Sequence, residues 1–371
     1  MKRKKRTTGG NLHEERKVDH VKICLEEDVA SSKNFWDDVY LVHEALPEVD
    51  PEDVDLTVEV FGRKLAAPII ISGMTGGSES VTRINENIAA VAEELGIAMG
   101  VGSQRAALLD ASLRGSFKVV KEHSPPLVLA NIGAPQLVKQ NDGVVFGAEE
   151  AIDAMEMVGA HLIAVHLNFL QEMVQPEGDR KTDGVWEALK GLSQEVPVVA
   201  KETGAGVSRK AAIMLKEAGV KGIDVGGLSG TTFSAVEYYR ALQASDSLKA
   251  ALARTFWDWG IPTPVSLLRA SVGLPLIATG GLRDGLDVAR ALSLGAALGG
   301  FARGVLKDAV ESKEALMVRL QTIIEELKVA LALQGIKRAR DARERPGILL
   351  GQTAEIAKES SSTASLLCTM T

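Results

Sequence analysis

From Pro68 onward the chain repeats one pattern. Short apolar runs, each closed by small or polar residues, alternate with stretches whose apolar positions recur at helical spacing. The runs are Pro68–Gly73, Ile97–Ser103, Leu127–Gly133, Leu162–Asn168, Val196–Thr203, Gly222–Gly227, Leu274–Gly281 and Ala296–Ala302. Between them lie amphipathic segments such as Val81–Leu95, Ala148–Val158, Arg209–Ala218, Asp287–Leu294 and Lys313–Leu333. Continuously apolar strands separated by helices predict a parallel sheet covered on both faces. Eight such strands fit a closed (β/α)8 TIM barrel of ~250 residues better than an open doubly wound sheet. The first strand–helix turn also lacks the GxGxxG spacing of a dinucleotide fold.

The predicted fold is therefore α/β: a TIM barrel with an N-terminal extension and a C-terminal helical extension. Residues 1–10 read as a disordered basic arm, 11–65 as the extension, 66–340 as the barrel and 341–371 as a tail. Within the extension Asn11 is placed to cap a short helix, with Glu14 three residues on. Val54–Phe61 alternates as a strand does, and Leu46-Pro47 and Asp50-Pro51 mark turns. Leu306–Lys337 reads as an extension of the last helix, and the tail from Glu359 as loosely ordered.

Composition narrows the class. A formal charge of −7 on 371 residues argues for a soluble protein and against a general nucleic-acid binder. The run Lys2–Arg6 reads as a solvated arm. Cys24 and Cys368 fit neither a disulfide framework nor a zinc cluster, so a reducing cytoplasm is expected. No signal peptide and no membrane span are visible.

In this fold chemistry gathers at the C-terminal ends of the strands. Those ends read SGMTGG (72–77), GSQR (102–105), ANIG (130–133), HLNFLQE (166–172), KETGAG (201–206), DVGGLSGTTF (224–233), ATGGLRDG (278–285) and GGFARG (299–304). The last two are glycine-rich turns opening into helices. Such turns expose backbone N–H groups and the positive end of a helix dipole, which suits a phosphate. Lys201 is a poor core residue on an apolar strand, at i,i+2 from Thr203. It suits an anionic cofactor ring, or a Schiff base if desolvated. His166 and Asn168 share a face, with Gln171 and Glu172 in the loop beyond. His161 falls on the other face and reads as packed against an outer helix. A lone carboxylate such as Glu172 suits Mg²⁺ when a substrate phosphate supplies further ligands. Arg105 suits a phosphate or a salt bridge at the barrel rim.

Together these motifs resemble the type 2, FMN-dependent isopentenyl-diphosphate isomerases. The resemblance runs from about Arg16 to Gly304 and includes RKVDH (16–20) and QPEGD (175–179). It implies an isomerase that interconverts isopentenyl and dimethylallyl diphosphate by moving a proton across the allyl unit. FMN and Mg²⁺ would be cofactors, with NADPH or NADH needed only to reduce the flavin. Met74, Thr75, Gly76, Ser103, Asn131 and Thr231 would line the flavin, and Lys201 would approach its ring. Gly281, Leu282, Arg283, Ala302 and Arg303 would surround its phosphate. Arg16, Lys17 and Arg105 would bind the substrate diphosphate. His166, Asn168 and Gln171 would face the substrate, and Glu172 would hold the metal. A cytoplasmic homo-oligomer acting on a small diphosphate, with no nucleic-acid or membrane partner, completes the expectation.

Three rivals are weaker. A 2-hydroxy-acid oxidase needs a histidine just after strand six, where this chain has GGLSGTTF. An IMP-dehydrogenase-like enzyme needs a loop cysteine, and neither cysteine is in such a loop. A non-enzymatic phosphate-ligand sensor leaves Lys201, His166 and Gln171 without a purpose.

Overall fold

Eight parallel strands close into a barrel in chain order in the computed structural model, which describes residues 19–140, 143–175 and 177–358. They are β1 (Ile69–Ile71), β2 (Ala98–Gly100), β3 (Leu127–Gly133), β4 (Leu162–His166), β5 (Val198–Lys201), β6 (Gly222–Asp224), β7 (Leu276–Ala278) and β8 (Leu298–Phe301). Pairing of β8 with β1 and of β6 with β7 completes the closure. The basic arm, the Asn11-capped helix start, Arg16, Lys17 and the Ser-rich tail lie outside the described residues.

Period-two alternation decides what the barrel holds. Ile70, Ala98, Leu127, Leu129, Leu162, Ala164, Val199, Ile277 and Leu298 point inward and form one cluster. Their neighbours Ile69, Ile71, Val128, Ile163, Val198 and Ile223 join the larger cluster beneath the helices. A hairpin of Val58–Val60 and Arg63–Leu65 plugs the N-terminal end, placing Val60, Leu65 and Phe61 against the inner cluster. Gly222 makes room for this plug, since a Cβ there would lie 2.7 Å from the Phe61 ring. Closure of one end leaves the C-terminal mouth as the place for a site. The same parity carries upward, so Ser72, Asn131, His166, Lys201 and Thr279 face inward at that mouth.

His161 finds its polar partner on a neighbouring strand. It precedes β4 and its Nδ1 accepts the Val128 amide at 3.1 Å. Partial burial and the positive charge of Arg63 hold this imidazole below its usual range. The segment 306–337 is two helices rather than one extension. Arg303–Glu311 ends at Ser312, which turns extended and caps Lys313–Ala332 by accepting the Ala315 amide at 3.0 Å. The second helix crosses Gly285–Ser293 closely, because a Cβ at Gly285 would lie 2.3 Å from both Ile323 O and Leu327 N.

The segment before the barrel reaches its mouth. In the turn Phe35–Asp38, Trp36 is fully buried and donates Nε1–H to Gly280 O at 2.9 Å. Asn34 Nδ2 donates to Gly281 O at 2.8 Å. Residues from far down the chain hold this turn. Val39–Tyr40 pairs with Ile348–Leu349, and Asp38 accepts the Thr353 hydroxyl at 2.6 Å.

Candidate active site

The mouth holds a cavity of about 980 Å³, near the upper end of the ~300–1,000 Å³ typical of ligand pockets. Its floor is set by strand parity. Lys201 ends β5 and its Nζ lies 2.7 Å from Asp224 Oδ2 on β6. The two residues are register partners. Thr279, just past β7, donates its hydroxyl to Asp224 Oδ1.

One wall comes from β3 and β4. Asn131 Nδ2 donates to Val101 O at 2.9 Å, which leaves its Oδ1 to accept from His166 Nδ1 at 2.7 Å. That arrangement places the His166 proton on Nδ1 and aims Nε2 elsewhere. Beyond His166, Asn168 sits at φ +29°, an uncommon conformation for a residue other than glycine. Its Nδ2 lies 3.3 Å from both Gln171 Oε1 and Glu172 Oε1. Its buried Oδ1 has no hydrogen-bond partner among the described residues.

Gln171 and Glu172 are not in a loop. They belong to the short helix Phe169–Val174 and are both buried. Gln171 Nε2 donates to Glu237 Oε1 at 2.7 Å, and His20 Nε2 lies 3.2 Å from the same oxygen. Arg240 donates to Glu237 Oε2 at 2.6 Å. Burial pushes the Glu237 carboxyl up, but His20, Arg240 and Gln171 together outweigh it and hold the pKa at about 2. His20 stands on a helix over 19–26 that covers the cavity. Arg303 clamps that helix by donating to Cys24 O at 3.0 Å and Glu27 O at 3.2 Å. Burial, only partly countered by Arg303, pushes the Cys24 thiol up to about 11, too high for a nucleophile at neutral pH.

Behind this wall Glu172 Oε2 accepts from Gln175 Nε2 and from the Asp179 amide, the latter at 2.8 Å. The Asp179 carboxylate in turn holds Arg105 at 2.6 Å and Gln136 at 3.0 Å. Among the described residues no three His, Cys, Asp or Glu side chains gather into a metal cage. A cation beside Glu172 would need further oxygens, from amide groups, water or the substrate.

The opposite end is a cradle built from glycine turns and a helix start. Gly280 and Gly281 have φ of +107° and +85°, and their carbonyls are tied back by Trp36, Thr263 and Asn34. Ala302, Arg303 and Gly304 line the cavity at the start of helix Arg303–Glu311, which has no side-chain cap. A helix start without a side-chain cap leaves N–H groups for a ligand, and the residues present fit a phosphate. Arg283 also lines this end. Its guanidinium is held by Asp287 at 2.8 Å and Asp37 at 2.6 Å. Those bonds drive its pKa further up, and burial offsets them only in part, so the side chain stays a fixed cation at the rim.

The site residues expected from the sequence fall into two groups. Met74, Ser103, Asn131 and Thr231 line the cavity, as do His166, Asn168, Gln171 and Lys201. Gly281, Leu282, Arg283, Ala302 and Arg303 line its cradle end. Thr75, Gly76, Arg105 and Glu172 stand behind the lining. Thr75 is buried with an unpartnered hydroxyl among the described residues. Gly76 packs under Phe117, where a Cβ would lie 2.1 Å from the ring. Sequence reasoning missed Asp224, Glu237 and Asp179, and met His20 only as the end of the RKVDH motif. Parity from Gly222 could have turned Asp224 inward; Glu237 carried no such signal.

Comparison with known proteins decides the family. Residues 110–346 match the model of the FMN-dependent dehydrogenases. The isopentenyl-diphosphate delta-isomerase of Thermoplasma volcanium is 50% identical over 89% of this chain and 95% of its own. That of Archaeoglobus fulgidus is 48% identical over 88% and 93%. The chain belongs to the type 2, FMN-dependent isopentenyl-diphosphate delta-isomerase family. Among solved structures, a lactate oxidase of Pediococcus acidilactici superposes with a TM-score of 0.60 over 94% of this chain and 97% of its own, at 13% identity. A mandelate oxidase variant with a monooxide FMN adduct gives 0.57 at 18% identity, over 90% and 92%. At those identities the oxidases share the barrel alone. No described helix is long and apolar enough to cross a membrane.

Proposed function

We propose that this chain is an isopentenyl-diphosphate delta-isomerase that moves the double bond of its substrate by allylic proton transfer, with FMN and Mg²⁺ bound. The observation that carries the reading is the pairing, in one cavity, of an uncapped helix start at Ala302–Gly304 with the amide wall at Asn168 and Gln171. The first suits a cofactor phosphate. The second presents neutral polar groups to an uncharged alkene. Reduced FMN supplies a group able to give and take the proton, and NADPH or NADH serves to reduce it.

The chain's own groups bind and orient. Lys201 presents a cation on the floor for the flavin ring. His166 holds its proton on Nδ1 against Asn131, which fixes its ring for substrate contact. Gln171, steadied by Glu237, positions the alkene. Glu172 and Asn168 Oδ1, which has no partner among the described residues, are suited to a Mg²⁺ that the diphosphate also ligates. Arg105 would leave Asp179 for the diphosphate, joined by Arg16 and Lys17, which precede the covering helix. The covering helix excludes water from the reacting carbons. We place the enzyme in the cytoplasm as a homo-oligomer. An oxidase of 2-hydroxy acids is disfavoured because the segment after β6, which lines the cavity through Ser229, Gly230 and Thr231, carries no histidine.

The deciding experiment is anaerobic incubation of purified protein with isopentenyl diphosphate, Mg²⁺, FMN and NADPH. Dimethylallyl diphosphate should form; its absence, or its formation without flavin, overturns the reading.

A further inference from the structure

We infer that Asp224 is a positioning residue that sets the charge of the cavity floor through Lys201, an inference that rests on the flavin reading above. Both carboxylate oxygens are committed. Oδ2 holds Lys201 Nζ at 2.7 Å and Oδ1 accepts the Thr279 hydroxyl. Lys201 and Thr279 line the cavity, whereas Asp224 is 3% exposed and does not. Asp224 therefore acts one layer below any bound molecule and reaches it only through its two partners.

The physical consequence concerns sign. A lysine amine placed in a buried site without a counter-charge either sheds its proton or imposes a full positive charge on its surroundings. With Asp224 beside it, the ammonium is fixed in place and the pair is neutral as a whole. A molecule resting on the floor meets a dipole, positive end up, in place of an isolated charge. The strand register makes this possible, because Lys201 and Asp224 are opposed on adjacent strands and both side chains turn inward. Val199, two residues before Lys201, and Ile277, two before Thr279, belong to the apolar cluster below. The pair is thus shielded from beneath, where water would otherwise weaken it.

Removal of either partner should push a bound flavin in opposite directions. Loss of Asp224 leaves an excess positive charge, which favours the more negative, reduced form of the cofactor. Loss of Lys201 leaves a buried negative charge, which disfavours it. A brace with a purely structural role would move both variants the same way.

The test uses the full chain as flavoprotein, with Asp224→Asn, Lys201→Met and the double variant. FMN affinity of the stripped protein is followed by flavin fluorescence, and the midpoint potential of bound FMN is measured against a reference dye. Asp224→Asn should favour reduced over oxidised FMN by about tenfold, or about 30 mV upward for a two-electron couple. Lys201→Met should shift the potential downward by at least as much. The double variant should return toward wild type, above Lys201→Met. An Asp224→Asn potential that is unchanged or lowered overturns the inference. If that variant does not fold, a double variant no higher than Lys201→Met overturns it instead. If the wild-type protein binds no FMN, the flavin reading itself fails, and the inference falls with it.

Discussion

Gln171 donates its amide Nε2 to Glu237 Oε1 at 2.7 Å, so the side chain that faces the cavity is held in one orientation. The same oxygen meets His20 at 3.2 Å. One buried carboxylate thus ties the amide wall to the helix that covers the cavity. Glu237→Gln should loosen both. The expected loss in kcat is about a hundredfold, equivalent to ~2.7 kcal/mol of transition-state stabilisation. FMN affinity should change by less than about twofold. Steady-state kinetics beside flavin titration checks this; an unchanged kcat removes the coupling.

The same carboxylate predicts an acid-labile step. Its pKa falls from 4.5 to about 2 on folding, so the group is stabilising while ionised. That contribution is fully present above pH 4.5 and is lost as pH falls toward 2. Its size is on the order of 3 kcal/mol, since one unit is worth ~1.4 kcal/mol. Urea unfolding across this window should show a slope that Glu237→Gln reduces. An identical pH dependence in the variant counts against the assignment.

Arg105 waits on Asp179 at 2.6 Å, and both side chains are mostly buried. If Arg105 serves the diphosphate, Arg105→Ala should raise KM about tenfold with a smaller effect on kcat. Asp179→Asn should do the reverse to KM, by freeing the guanidinium. Parallel increases in KM for both variants would mean that the pair is needed only for the fold.

The cradle predicts a steric failure. Gly281 has φ +85°, and a Cβ there would lie 2.4 Å from Ser229 O. Gly281→Ala must therefore move backbone. It should weaken FMN binding by about tenfold or more, measurable by flavin fluorescence, and lower the melting temperature by several degrees. Wild-type flavin affinity in the variant would place the phosphate elsewhere.

How far the sequence foretells this site depends on where each signal lies. Leu127–Gly133 and Ala148–Val158 emerge with the predicted bounds because their periodicity is unbroken. Lys201 stands out as a cation in an apolar strand, a signal carried by its immediate neighbours. Asp224 is legible only in part, since its value comes from register with Lys201 across the ladder. Glu237 is not legible. It lies on helix Phe233–Gln243, and two of its partners are 217 and 66 residues away in the chain. Ser312 escapes notice as a helix break because Leu306–Lys337 keeps its apolar rhythm through it. Its extended backbone and the capping bond from Ala315 reveal the division.

The turn that grips the cradle carries a consequence for biosynthesis. Trp36 and Asn34 hold the carbonyls of Gly280 and Gly281, and the same turn is fastened by Ile348–Leu349 and Thr353. A ribosome has to deliver residues more than 300 positions apart before those contacts coexist. The glycine end of the cavity is thus fully braced only after translation of the barrel strands themselves. A nascent chain stopped after β8 would carry the glycines and the Asn34 and Trp36 side chains that grip them, but not the later segment that fastens the gripping turn.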